Sequence, residues 1–157
     1  MPTGYTRVLV PVDFSPSSTR ALREATRLVG EGGEVVLVHV LRKLEPSIPF
    51  SATNRKTVTK LARQAKLDAR TALEAMAEGV GCARVRTRVV TGLAHEKILA
   101  EAQRAKADAI VIGAHGQTLS ERLLVGSTTE RVLRKATLPI VVTPAPRTRQ
   151  PAATGSG

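Results

Sequence analysis

The residues best placed to do chemistry lie between Gly113 and Arg131, in the stretch GAHGQTLSERLLVGSTTER. Gly113 and Gly116 stand three apart, nine residues separate Gly116 from Gly126, and Ser127 and Thr128 follow at once. Glycine lets a backbone turn with positive φ and lets an anion approach with no Cβ in the way. The first amides of a helix have no internal partners, and its dipole favours negative charge there. A glycine loop running into a helix that opens near Gly126 could therefore cradle a phosphate chain, with two hydroxyls as further donors. The same residues also have a purely structural use. Ser127 and Glu130 stand at capping-box spacing, so that Ser127 would cap its own helix and Glu130 would reach back. The pattern alone leaves both uses open. No lysine follows Gly126, so the segment is not a Walker A loop. G-x-G-x-x-G occurs nowhere, which speaks against a dinucleotide site.

Other reactive side chains give weaker signals. His115 lies in the glycine segment and is read as polar lining. His39 sits in an apolar run and is read as a satisfied strand residue. The single cysteine, Cys82, has no histidine near it in sequence and allows neither an internal disulfide nor a cysteine metal cluster.

These residues need a scaffold, and the hydrophobic pattern supplies one. Short apolar runs at Arg7 to Asp13, Glu34 to Leu41, Asp108 to Ala114 and Leu138 to Pro144 predict buried strands. Cys82 to Val90 alternates apolar and basic residues, which predicts a strand with one wet face at or near a sheet edge. Helical spacing runs from Ser15 to Gly30, with Ser15 to Ser18 as cap residues and Gly30 as the stop. It recurs over Thr57 to Glu78, Leu93 to Ala107 and Ser127 to Thr137. Strands alternating with helices predict one α/β domain over residues 1–145, doubly wound, with a five-stranded parallel sheet covered by helices on both faces, Rossmann-like or flavodoxin-like. Such sheets bind ligands beyond the carboxyl ends of their strands. Residues 146–157 are expected to form a disordered tail.

Composition narrows the function classes. The chain has 157 residues, a net charge of +11 and 42% hydrophobic residues, enough for a core of its own. No apolar run is long enough to span a bilayer, and the N-terminus does not have a signal-peptide pattern, so a cytoplasmic protein is expected. The positive charge suggests anionic partners, but it is spread along the chain with no block of like charges. Tyr5, Phe14 and Phe50 are the only aromatic residues. A base-stacking platform cannot be built from them, and a nucleic-acid binder is disfavoured.

The Gly113-x-x-Gly116, nine-residue, Gly126-Ser127 spacing resembles the signature of the universal stress protein family (UspA-like), in its ATP-binding subclass. VLVPVDFSPSSTRAL resembles that family's first strand and helix start, VVLVHVL its second strand, and STTERVLRKATLPIVVTP its closing helix and last strand. The resemblance covers Tyr5 to Pro144. It implies a domain like the adenine nucleotide alpha hydrolases and a nucleotide-responsive regulatory or stress-tolerance module. It also implies a set of site residues. Asp13 would bind the ribose or adenine side, Pro11 would help form the adenine pocket, and Val40 would offer backbone groups to the adenine edge. Gly113, Ala114, Gly116, Gly126, Ser127 and Thr128 would hold the phosphates, with Mg²⁺ or Mn²⁺ bridging their oxygens. Ala114 stands where the family often has serine, which removes one hydroxyl. QTLSERLLV lacks an early glycine common there, so the loop's path is open.

The alternative is an enzyme, a slow ATPase or nucleotidyl transferase. Glu121 and Arg122 would be its water-positioning and charge-stabilising groups. No placed base is visible, so no catalytic residue is assigned. The last strand offers an apolar edge. The resemblance implies a homodimer made there by Pro139, Ile140, Val141, Val142 and Thr143, in which a glutamate or proline at Val141 gives monomers. The regulated process and any protein partner are not written in the sequence.

Overall fold

The computed structural model of the chain describes residues 4–43, 52–81, 84–115 and 125–144. The elements run β1 (Tyr5–Pro11), α1 (Pro16–Leu28), β2 (Val29–Leu41), α2 (Ala52–Glu78), β3 (Arg84–Thr91), α3 (Ala94–Arg104), β4 (Ala109–Gly113), α4 (Ser127–Lys135) and β5 (Ile140–Thr143). All pairings are parallel, in the order β3-β2-β1-β4-β5.

The apolar runs explain this architecture. Successive residues of a strand point to opposite faces. Val8, Val10, Val35, Leu37 and Val111 therefore pack on one side, against Ala21, Leu22 and Ala25 of α1 and Leu73 of α2. Leu9, Val36, Val38, Ile110 and Ile112 pack on the other, against Ile98 and Ala102 of α3 and Val132 of α4. A strand apolar on both faces has to lie inside a sandwich of helices. β3 has arginines at alternate positions and takes the edge, as its pattern predicts.

The chain departs from the sequence-based expectation in three places. Gly30 does not stop the first helix. α1 ends at Leu28, and Val29 closes it by donating its N–H to the Ala25 carbonyl while already extended. The small residues that follow belong to β2, because Tyr5 pairs with Val29 across a register shift. A Cβ on Gly4 would lie 2.7 Å from Gly30 N, so this crossing needs glycine. The second helix starts at Ala52 rather than near Thr57. The first strand lies two residues earlier than its apolar run, at Tyr5–Pro11, and the last is shorter than its run, with Asp13 and Pro144 both beyond the strands. Cys82 and the tail from Ala145 lie outside the described residues, and none of the described helices is long and apolar enough to cross a membrane.

Charged pairs fix the amino ends of the strands. Asp108 Oδ2 accepts the Thr6 and Arg7 amides at 2.9 and 2.7 Å, which ties β1 to the start of β4. Glu34 accepts from Arg7 Nε and Arg86 Nε, both at 2.7 Å. Burial pushes the Glu34 carboxyl up, but the Arg7 hydrogen bond and the charges of Arg86 and Arg7 outweigh it and hold the group below its ordinary value. A depressed carboxylate contributes stability that is intact above its unfolded value, about 4.3, and is lost as pH falls through the folded one. Glu34→Gln is therefore expected to flatten the fall of melting temperature below about pH 4.3. An acid limb identical to wild type would refute this role for Glu34.

Candidate functional site

From β1 the sheet grows outward through β2 to β3, then on the other side through β4 to β5. The carboxyl ends of β1 and β4 flank the point where strand order reverses, the ligand crevice of open α/β sheets. Pro11, Asp13, Gly113, Ala114, Gly126, Ser127 and Thr128 all lie at this edge. Val40 lies one strand over, near the end of β2, where it pairs with Val90 and packs against the α3 and α4 core. Gly116, Glu121 and Arg122 lie outside the described residues.

The turn after β1 is tightly determined. Asp13 Oδ1 accepts the Ser15 amide at 3.0 Å. Ser15 caps α1, its Oγ accepting the Ser18 amide at 3.2 Å, and Pro16 opens the helix. Between them Phe14 has φ 63°, a left-handed conformation uncommon for an aromatic residue. Its ring packs on His39 with centroids 4.7 Å apart. His39 Nδ1 lies 2.7 Å from the Val12 carbonyl. A carbonyl only accepts, so Nδ1 carries the proton. His39 is thus a satisfied strand residue that steadies the turn presenting Asp13.

The end of β4 is equally constrained. A Cβ on Gly113 would lie 2.9 Å from Ser17 Cβ and 3.1 Å from the Ser17 carbonyl carbon, so α1 sits directly on the strand. Ser17 Oγ is buried there with no hydrogen-bond partner among the described residues. Thr129 Oγ1 donates to the Gly113 carbonyl at 2.8 Å and anchors α4 to β4. The Ala114 amide donates to Thr143 O at 2.8 Å, and the Gly126 amide donates back to Ala114 O. The chain therefore leaves the sheet at Ala114 and returns to the same point at Gly126.

The capping box is not formed. Gly126 is the N-cap of α4, Ser127 is already its first helical residue, and among the described residues no side chain caps the helix. Glu130 points away from the helix start, to Arg134 at 2.6 Å. The opening of α4 thus offers amide donors and the Ser127 and Thr128 hydroxyls beside the β4 end. Such a terminus favours an anion. The sequence reading missed Thr129, and it placed Ser17 among the cap residues and Phe14 after the first strand without their contacts. Thr129 leaves a faint signal, three residues before Val132 on the apolar face of its helix.

The architecture is that of a doubly wound α/β domain whose strand order reverses at β1 and β4, with the start of α4 beside that point. Within that class the chain belongs to the universal stress protein family, whose model matches residues 4–144. It is 31% identical to universal stress protein MJ0577 of Methanocaldococcus jannaschii, over 90% of this chain and 96% of that protein. The solved structure of MJ0577 superposes with a TM-score of 0.79 at 28% identity, covering 92% of this chain and 99% of that one. The universal stress protein UspA from Lactobacillus plantarum superposes with a TM-score of 0.73 at 26% identity, over 88% and 97% of the two chains. A universal stress protein solved in complex with cAMP shares the fold, with a TM-score of 0.56 at 22% identity over 88% and 96%.

Proposed function

We propose that the chain binds ATP at the carboxyl ends of β1 and β4 and acts as a nucleotide-responsive regulatory or stress-tolerance module. The observation that carries this reading is the start of α4, uncapped by any side chain among the described residues and hydrogen-bonded through Gly126 to the end of β4. Phosphates would lie on the Gly113 to Gly116 segment and on the Gly126, Ser127 and Thr128 donors. Asp13 would accept from the ribose hydroxyls. Pro11 and the Val40 backbone would border the adenine. The donors described at the phosphate end are amides and hydroxyls, and Glu130 is held by Arg134. Mg²⁺ or Mn²⁺ would accordingly be held chiefly by the phosphates themselves, where it would offset their charge.

Denaturing purified protein and weighing the released small molecules by mass spectrometry tests this directly, with an adenine nucleotide expected. Protein that releases none, and whose melting temperature does not rise with millimolar ATP and Mg²⁺, would overturn the reading.

A homodimer through β5 is part of the proposal. β5 ends the sheet, and Pro139 and Thr143 turn their carbonyls to β4, where Ile110 and Ala114 donate to them. Amide and carbonyl of one strand residue point the same way, so the outward groups belong to Ile140 and Val142. Val141 is therefore not the residue to change. Val142→Pro removes an outward donor and is expected to give monomers in sedimentation velocity; an intact dimer would refute pairing at this edge.

A further inference from the structure

The face of the sheet that carries α3 holds a second feature, distant from the nucleotide cleft. α3 lies over β1 and β2, while α2 packs on β3 from the opposite face. Beside α3 this leaves a recess of about 490 Å³. Arg7, Arg86, Arg88, Arg104 and Lys106 border it, and Glu101 is the one acidic residue among its described lining. The register assembles it. Val36 pairs with Arg86 and Val38 with Arg88, so the two arginines project on the α3 side.

Charge within the recess is only partly compensated. Glu34 is taken up by Arg7 and Arg86. Glu101 accepts from Arg88 Nε at 3.2 Å and lies 3.6 Å from Arg104 Nη1. Among the described residues five cations thus face two carboxylates, a surplus of three charges. Among the described residues the Lys106 ammonium has no ion pair. Its backbone is notable. The Ala107 amide donates to Ala102 O, closing α3 in a Schellman turn with Lys106 at φ 51°. Glycine is the ordinary residue at such a position. This chain instead holds a lysine in a strained conformation at the rim of a basic recess.

We propose that this recess is a second ligand site, for a compact, multiply charged oxyanion of the phosphate class. Its volume suits a small molecule. Guanidinium forks match phosphate oxygens in pairs. Among the described residues no aromatic lines it, so none of them would stack a nucleic-acid base there. Arg7 and Lys106 place it toward the amino ends of β1 and β4, so it can be filled while the nucleotide cleft is occupied.

The test is calorimetric titration of the full chain with tripolyphosphate at low salt, against Arg86→Gln/Lys106→Gly, Glu101→Gln and Gly126→Val. The double variant is expected to lose about tenfold or more in affinity, the scale of one charge-assisted hydrogen bond. Glycine at position 106 relieves the backbone, so Lys106→Gly alone is expected to weaken binding without lowering the melting temperature. Glu101→Gln removes a negative charge and is expected to tighten binding. Tripolyphosphate also suits the proposed phosphate donors at Gly126, so Gly126→Val is expected to remove that binding event and to keep the one that Arg86→Gln/Lys106→Gly weakens. Three results would overturn the proposal. One is no binding at all. Another is all binding lost in Gly126→Val but none in the double variant, which puts the anion in the nucleotide cleft alone. The third is a short DNA duplex that binds through Arg86 and Lys106 where tripolyphosphate does not.

Discussion

Gly113→Val is expected to lower stability by about 3 kcal/mol, the upper part of the range for overpacking a core. For a domain of this size that is a drop of about 6–12 °C in melting temperature. The position admits no side chain because the first turn of α1 lies against it. A Cβ would meet Ser17 Cβ at 2.9 Å, Oγ at 3.0 Å and the carbonyl carbon at 3.1 Å, and neither Cβ nor backbone can swing aside. Relief requires α1 to lift, and with it the Asp13 turn. Nucleotide binding should therefore weaken beyond what the lost stability explains. Gly79→Ala is the control, since a Cβ there meets only carbonyl oxygens, the nearer being Met76 O at 3.6 Å. It should stay within about 0.5 kcal/mol of wild type. Equal melting temperatures for Gly113→Val and wild type would show that α1 is not held as described.

Asp13→Ala is expected to weaken ATP binding by about 10- to 100-fold, the worth of a hydrogen bond to a charged group. The expectation rests on the proposed ribose contact. Asp13 also accepts the Ser15 amide, so alanine loosens the turn as well. Asp13→Asn separates the two effects. Asparagine keeps an acceptor for Ser15 and one for a ribose hydroxyl but gives up the charge, so its affinity should fall between alanine and wild type. Titration of all three proteins with ATP, alongside their melting temperatures, decides the matter. Wild-type affinity in Asp13→Ala would remove Asp13 from the site.

Much of the fold was legible because the chain repeats one physical signal. Val8 to Val10, Val35 to Val38 and Ala109 to Ile112 are apolar without alternation, which only a doubly covered strand tolerates. The arginines of β3 announced an edge for the same reason. The position of the candidate site followed from topology, since residues after β1 and β4 in this strand order must meet. What failed was local punctuation. Ser127 with Glu130 has capping-box spacing, yet the helix begins one residue earlier in register, with Gly126 as its cap. Nothing in the spacing distinguishes a serine at the cap from one just inside it. Gly30 resembled a helix stop because the pairing of Tyr5 with Val29, which makes it strand, is a tertiary event. The basic recess was unreadable because Arg7, Arg86, Arg88 and Arg104 are scattered along the chain. Spread out in sequence, they resemble an ordinary solvated surface.

The backbone bond between Ala114 and Gly126 bears on how this molecule can vary. It shuts an eleven-residue excursion, positions 115 to 125, at its base. The pairing of β4 with β5 and the Thr129 anchor both lie outside that closed ring. Ring entropy grows slowly with length, about 0.6 kcal/mol for each doubling. Residues inserted or deleted inside the ring would thus come at little thermodynamic cost to the sheet. Ligand preference could then drift between descendants of one ancestor while the scaffold beneath stays the same.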